Sequence, residues 1–234
     1  LDALRPLLRP RAALLDVGCG AGELVYLARR EGIAAAGLEP GTEYADFARR
    51  ALGVPVQTGT VDTALVDAGS QDVVTMFHCR EHVPDRKRVL ASVRRWLADD
   101  GHLVVEVPNI ASTVQAPSHR FHYAHLYHFT GETLGALGEA VGLRVVRTAY
   151  SADGGNVFCV FRRSADEVPA DAGLAEHAAR TRAILHGHRG WKHYLSGVPY
   201  ARALARLRRR WREDRLLRRL PPVDDIVQWA AAGR

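Results

Sequence analysis

Leu14-Leu15-Asp16-Val17-Gly18-Cys19-Gly20-Ala21-Gly22 is the stretch that decides the fold. The apolar run over residues 12–17 has the length and continuity of a parallel strand buried on both faces. It stops at closely spaced glycines, and the helical pattern Glu23-Leu24-Val25-Tyr26-Leu27-Ala28-Arg29-Arg30 starts at once. Strand, glycine turn and helix is the geometry by which α/β proteins aim backbone N–H groups and a helix N-terminus at a ligand. The glycine spacing is G-x-G-x-G. A dinucleotide fingerprint wants its third glycine or alanine three residues after the second, where this chain has Glu23, so the nicotinamide reading is weakened by its own motif.

Outward from that stretch, strands and helices alternate at short spacing. Residues 1–9 read as the end of a helix closed by Pro10. Residues 33–38 form an apolar run ending at Glu39, and Gly41-Thr42-Glu43 opens a helix to about residue 52. Short strands are predicted over 54–56 and 72–77. A helix follows over 85–98 with Val89, Leu90, Val93 and Leu97 on one face. Asp99-Asp100-Gly101 reads as a turn, and 102–107 as a strand stopped by Pro108-Asn109. Residues 110–130 are irregular and rich in histidine and aromatic side chains. A helix over 131–141 and strands over 143–149 and 156–162 follow; Gly154-Gly155 between the two strands predicts a hairpin, hence an antiparallel last strand. The expected fold is α/β: a doubly wound, mainly parallel, seven-stranded sheet over residues 1–163, with a helical C-terminal extension over 164–234.

The chain has 234 residues, 47% of them hydrophobic, enough for one substantial core and an appendage. No run approaches the roughly 18 apolar residues of a membrane span, and no signal peptide is visible. The chain begins at Leu1 without a methionine, which leaves open what lies upstream. Cys19, Cys79 and Cys159 lie far apart with no C-x-x-C pair, the pattern of reduced cytoplasmic thiols rather than disulfides or zinc. Charge is unevenly spread. Residues 1–163 carry 18 Lys/Arg and 18 Asp/Glu, whereas residues 164–234 carry 14 against 8, so the extension holds the whole net charge of +6.

The glycine stretch resembles motif I of the class I S-adenosylmethionine-dependent methyltransferases, which runs hhDhGCGxG, at every fixed position. His78-Cys79-Arg80-Glu81-His82-Val83-Pro84-Asp85 resembles the xxLEHVxD segment of that family, with Arg80 in place of leucine, and Glu106-Val107-Pro108-Asn109 resembles its ExPN. These motifs span about residues 12–109, with weaker similarity to 162. The resemblance implies a Rossmann-like methyltransferase fold and S-adenosyl-L-methionine as cofactor, with S-adenosyl-L-homocysteine as product.

In open α/β sheets ligands lie outside the carboxyl ends of the strands. Asp16, Gly18, Cys19, Gly20 and Gly22 are the candidates there for the amino-acid end of the cofactor. Glu39, 23 residues beyond Asp16 and followed by Pro40, is the candidate acceptor for the ribose hydroxyls, against the plainer reading of a surface acid. Thr60, Val61 and Asp62 fall where the resemblance places the adenine; Asp62 reads equally as a helix N-cap. Phe77 and His82 complete the cofactor set that the resemblance implies.

Methyl transfer to a hydroxyl needs a base, and histidine is the usual one near neutral pH. His119, His122, His125 and His128 recur every third residue, and the segment resembles the HLxHFT stretch of methyltransferases of sugar, polysaccharide and secondary-metabolite pathways. His125, Tyr127 and His128 are therefore candidates for base or substrate-orienting roles in a lid over 110–130, with His78 and His82 as alternatives from the other side. Ordinary lid packing and a metal site compete; the metal reading lacks an accompanying carboxylate or cysteine, and no metal is expected. Gly154-Gly155-Asn156 resembles an element of some sugar C-methyltransferases, which keeps carbon open as the acceptor.

Nine arginines lie between 202 and 219, and Tyr200, Leu204, Leu207 and Trp211 share one helical face, off which Leu216, Leu217 and Leu220 fall. The expected uses are docking on the catalytic domain or a homodimer partner, contact with an anionic membrane surface, or, less favoured for want of a stacking platform, nucleic acid. The expected function is methyl transfer to a small-molecule or glycan acceptor, chiefly a sugar hydroxyl. The alternatives are an RNA methyltransferase recruited by the arginine helix and a non-catalytic cofactor-binding partner subunit.

Overall fold

A computed structural model describes residues 1, 3–79, 83–164 and 173–218. Seven strands form one sheet: β1 (Ala13–Val17), β2 (Ala34–Glu39), β3 (Val56–Thr58), β4 (Gln71–Phe77), β5 (Leu97–Pro108), β6 (Leu143–Tyr150) and β7 (Asn156–Arg163). Their order across the sheet is β3-β2-β1-β4-β5-β7-β6. β1 through β5 pair in parallel, and β7 runs antiparallel to both its neighbours, β5 and β6. This is the doubly wound, seven-stranded fold with an antiparallel last strand expected from the alternation of elements. The order reverses between β1 and β4, which puts a crevice at their carboxyl ends.

The helices are α1 (Glu23–Arg30), α2 (Thr42–Ala51), α3 (Arg86–Trp96), α4 (Gly131–Glu139), α5 (Leu174–Gly187), α6 (Gly190–Leu195) and α7 (Val198–Leu217). Alternation along each strand divides the core in two. Leu15, Val17, Val74, Met76, Leu103 and Val105 face α3 and α4, where Leu90, Val93, Trp96 and Leu134 are buried. Leu14, Ala35, Val73 and Val104 face the opposite side, under Val25 and Ala28 of α1 and Ala45 and Ala48 of α2.

Three local expectations are corrected. Residues 1–9 hold only a 3-10 turn, Arg5–Leu7, with proline at its start. β3 begins at Val56 rather than Val54, because Val54 N–H is held by Ala48 O at the end of α2 and Pro55 offers no N–H to a ladder. Asp99-Asp100-Gly101 is not a free turn. Leu97 already pairs with Gln71 and His102 with Val73, so the three residues are extra length taken up inside β5. A Cβ at Gly101 would lie 2.8 Å from Gln71 O, so only glycine fits that approach.

Beyond β7, α5 packs on α4. His177 is buried, with its Nε2 2.7 Å from Oγ1 of Thr130, the N-cap of α4, and its Nδ1 3.4 Å from Glu132. Arg120 pairs with His188, whose Nε2 lies 3.1 Å from His193 Nδ1, and Arg202 donates to Val114 O at 3.1 Å. The helical extension thus supports the irregular 110–130 segment from outside.

Candidate cofactor and acceptor site

A cavity of about 500 Å³ opens at the carboxyl ends of β1, β2 and β4, closed on one side by the loop after β3. Its floor comes from the glycine turn. Gly18, Gly20 and Gly22 all take positive φ, and a Cβ at Gly18 would lie 2.9 Å from the Cys79 Cβ. Backbone at Gly18 therefore lines the cavity edge, packed too closely on Cys79 for any side chain. Glu39, at the end of β2, is almost fully buried. Its Oε2 accepts from Gly20 N–H at 2.9 Å and its Oε1 from Gly41 N–H at 2.8 Å. Each oxygen keeps acceptor capacity after those bonds, so the carboxylate holds the turn in place and still offers lone pairs to hydroxyls in the cavity. Leu38, Val61, Met76, Val83 and Val89 supply apolar walls. Asp62 lies at the rim, its Oδ1 2.7 Å from Arg88 Nη2.

Of the sequence-predicted cofactor residues, Gly18, Glu39, Pro40, Thr60, Val61 and Asp62 line this cavity. Asp16, Cys19, Gly20, Gly22 and Phe77 do not form its wall. Gly20 turns its N–H to Glu39. Gly22 caps α1, and a Cβ there would lie 2.9 Å from Ala48, so its smallness serves helix packing. Cys19 is buried against Gly37, and its thiol is pushed up to about 12 by burial and by Asp16 and Glu39, which leaves it unreactive. Strand alternation puts Met76 on the cavity side and Phe77 on the other. Asp16 sits beneath the turn with Oδ1 accepting from Thr75 Oγ1 at 2.7 Å; burial pushes its carboxyl up to about 6, with smaller contributions from Glu23 and Glu39. His82 lies outside the described residues.

The four candidate catalytic residues are divided by the structure. His78, ending β4, lines the large cavity. Its φ of 52° is in the left-handed region, uncommon for a non-glycine residue, and strain of this kind often marks functional sites. His78 Nε2 lies 3.4 Å from Glu106 Oε1 and 3.5 Å from Asn156 Nδ2, while Asn156 Nδ2 donates to Glu106 Oε1 at 2.6 Å. His78, just beyond β4, therefore meets Glu106 of β5 and Asn156 at the start of β7, and of the three His78 lines the cavity. His125 and His128 instead line a second, smaller cavity of about 150 Å³, with Asn109, Ser112, Gln115 and Arg120. Tyr127 donates its hydroxyl to Pro84 O at 3.0 Å, and the Arg86 guanidinium lies 3.7 Å above its ring, so Tyr127 fastens the lid segment to the loop after β4.

In the sequence Glu106 and Asn156 stand out as motif positions only. A charged residue inside the apolar 102–107 run was the available signal for Glu106. Nothing local pointed to Asn156, whose place depends on β7 pairing with β5.

Residues 1–148 match the family described as "Methyltransferase domain". Among curated proteins, the chain is 36% identical over 102 residues to a ubiquinone biosynthesis O-methyltransferase of Vibrio campbellii; that match covers 41% of this chain and 43% of the relative. It is 28% identical over 223 residues to an uncharacterized 37.1 kDa protein in transposon TN4556 of Streptomyces fradiae, covering 87% of this chain and 63% of that one. The chain thus spans 43% and 63% of the length of these two relatives. Among solved structures, a SAM-dependent methyltransferase from Archaeoglobus fulgidus superposes with a TM-score of 0.60 at 20% identity, over 69% of this chain and 92% of that one.

Proposed function

The chain belongs to the methyltransferase-domain family and uses S-adenosyl-L-methionine, and on that premise we propose that it methylates a hydroxyl of a small molecule or glycan, a sugar hydroxyl foremost, with His78 as the base. The observation that carries this reading is the His78, Glu106 and Asn156 group, whose His78 lines the 500 Å³ cavity. Oxygen as acceptor is also in the name of the Vibrio campbellii relative.

The cavity's residues fit the cofactor. Backbone at Gly18, where a Cβ would collide with Cys79, would border its amino-acid end; Glu39 would offer acceptors to the ribose hydroxyls; Leu38, Val61 and Met76 would supply apolar contact to an adenine, with Asp62 at the rim for its amino group. When bound, S-adenosylmethionine supplies a methyl on a sulfonium, open to in-line displacement by an oxygen nucleophile. The protein's own part is to orient that oxygen and take its proton. The His78 imidazole, which lines the cavity, would receive the hydroxyl proton. The Glu106 carboxylate, 3.4 Å from His78 Nε2, would stabilise the imidazolium that results, and Asn156 fixes the carboxylate by its 2.6 Å bond.

His78→Ala lowers kcat by about 10²–10⁴-fold on a hydroxyl-bearing sugar acceptor, while affinity for S-adenosylhomocysteine stays at the wild-type value. Wild-type turnover in this variant removes His78 as the base. Turnover confined to amine or carbon acceptors removes the hydroxyl.

A further inference from the structure

We propose that α7 is an interfacial helix that docks the protein on an anionic lipid surface. α7 spans 20 residues, so it is about 30 Å long. Tyr200, Leu204, Leu207 and Trp211 follow one another at spacings of four, three and four residues, which confines them to an arc of about 60°. All four are exposed, Leu207 at 65% and Trp211 at 62%. The catalytic domain therefore does not cover this stripe, contrary to the expectation that the helix docks along it. Among the described residues, the base of α7 is fastened there by Arg202 to Val114 O and, at 3.7 Å, to Asp153.

The occupant follows from charge. Seven arginines and two acids lie within α7. By the same helical geometry Arg208 and Arg215 flank the stripe on one side and Asp214, then Arg210, on the other, while Arg202, Arg206, Arg209 and Arg212 lie further round. Arginines beside an apolar stripe are placed to extend their stems along it and carry their charge up to phosphate. Trp211, with the Arg215 guanidinium 4.8 Å from its ring, and Tyr200 are the aromatic types favoured at a lipid–water boundary. A second copy of the helix on this stripe would crowd six flanking arginines into one seam, with only the two copies of Asp214 beside the stripe to offset them. Nucleic acid would engage the arginines and leave Leu204 and Leu207 in water. An anionic lipid surface satisfies both faces. α7 carries too much charge to cross a bilayer, and no described helix is long and apolar enough to do so, so α7 lies in the interface plane.

The full chain is floated with vesicles of phosphatidylcholine alone and with about one third phosphatidylglycerol, at low and high salt. Binding to the anionic vesicles, weakened by salt and absent from the neutral ones, is expected. Each of Arg208→Gln, Arg210→Gln and Arg215→Gln weakens it about five-fold. Leu207→Glu with Trp211→Glu weakens it more than about 100-fold, with far-UV circular dichroism and S-adenosylhomocysteine affinity as wild type to show an intact fold. The proposal is overturned if the full chain ignores anionic vesicles. It is equally overturned if the doubly substituted chain binds them as well as wild type, the mark of plain electrostatic adsorption, or if the stripe substitutions split a solution dimer instead.

Discussion

Replacing Asp16 by asparagine separates the stability of the empty protein from its affinity for ligand. The carboxyl lies under the glycine turn with 5% exposure, and Thr75 Oγ1 is the hydrogen-bond donor to it, at 2.7 Å. Burial raises it from 3.8 to about 6. A group whose acidity falls on folding binds its proton more tightly in the native state, so its stabilising contribution is full below about pH 4 and is lost as pH rises through about 6. A rise of about two units corresponds to about 3 kcal/mol, withdrawn at roughly 1.4 kcal/mol per pH unit across that window. An asparagine in its place has no proton to lose. Urea unfolding of wild type and Asp16→Asn at about pH 4 and about pH 7.5 should therefore show their difference moving by about 3 kcal/mol in favour of asparagine at the higher pH, whatever constant cost the new amide carries. Because Asp16 does not form the cavity wall, the same substitution should leave S-adenosylhomocysteine affinity at pH 7.5 within about 1 kcal/mol of wild type. A stability difference that is equal at the two pH values refutes the burial argument.

Two further substitutions probe the same frame. Glu39→Ala frees the Gly20 and Gly41 amides together, so calorimetry should show cofactor-product affinity down by about 1–3 kcal/mol and the melting temperature of the ligand-free protein lowered as well. Gly138→Ala, on α4, places a Cβ 2.4 Å from the ring of the fully buried Phe161; despite the better helix propensity of alanine, denaturant unfolding should show a loss of about 1–3 kcal/mol with S-adenosylhomocysteine affinity unchanged.

Most of the sheet is legible along the chain because its information is local. Continuous apolar runs such as 12–17 and 72–77, each stopped by a polar or glycine turn, mark strands buried on both faces. Glu39 could be picked out for the same reason, since a lone carboxylate closing an apolar strand needs only its own neighbours to be noticed. Reading failed where backbone geometry departs from the pattern, as in β5, where Asp99-Asp100-Gly101 has turn chemistry but is absorbed as extra length beside Gln71. It also stopped short where partners are far apart in sequence. Asn156 reaches Glu106 only because β7 lays Asn156 opposite Pro108, and His177 meets Thr130 only because α5 returns to the start of α4. The every-third-residue histidines drew attention to 119–128, yet His125 and His128 face the smaller cavity, and the imidazole at the larger one is His78, picked from a strand end.

The seat of β7 sets a timetable for the enzyme's birth. The strand made last fits between β5 and β6, so a chain emerging from the ribosome carries β5 with one side of its ladder vacant until residues 156–163 arrive. Leu103, Val105 and Val107, wholly shielded in the finished protein, stay within reach of other nascent chains during that interval. The glycine turn near the start of the chain thus waits on residues synthesised some 140 positions later, as parallel sheets built from distant pairings do. Conditions that slow synthesis between β5 and β7 should cost yield by aggregation well before they cost the folded enzyme any stability.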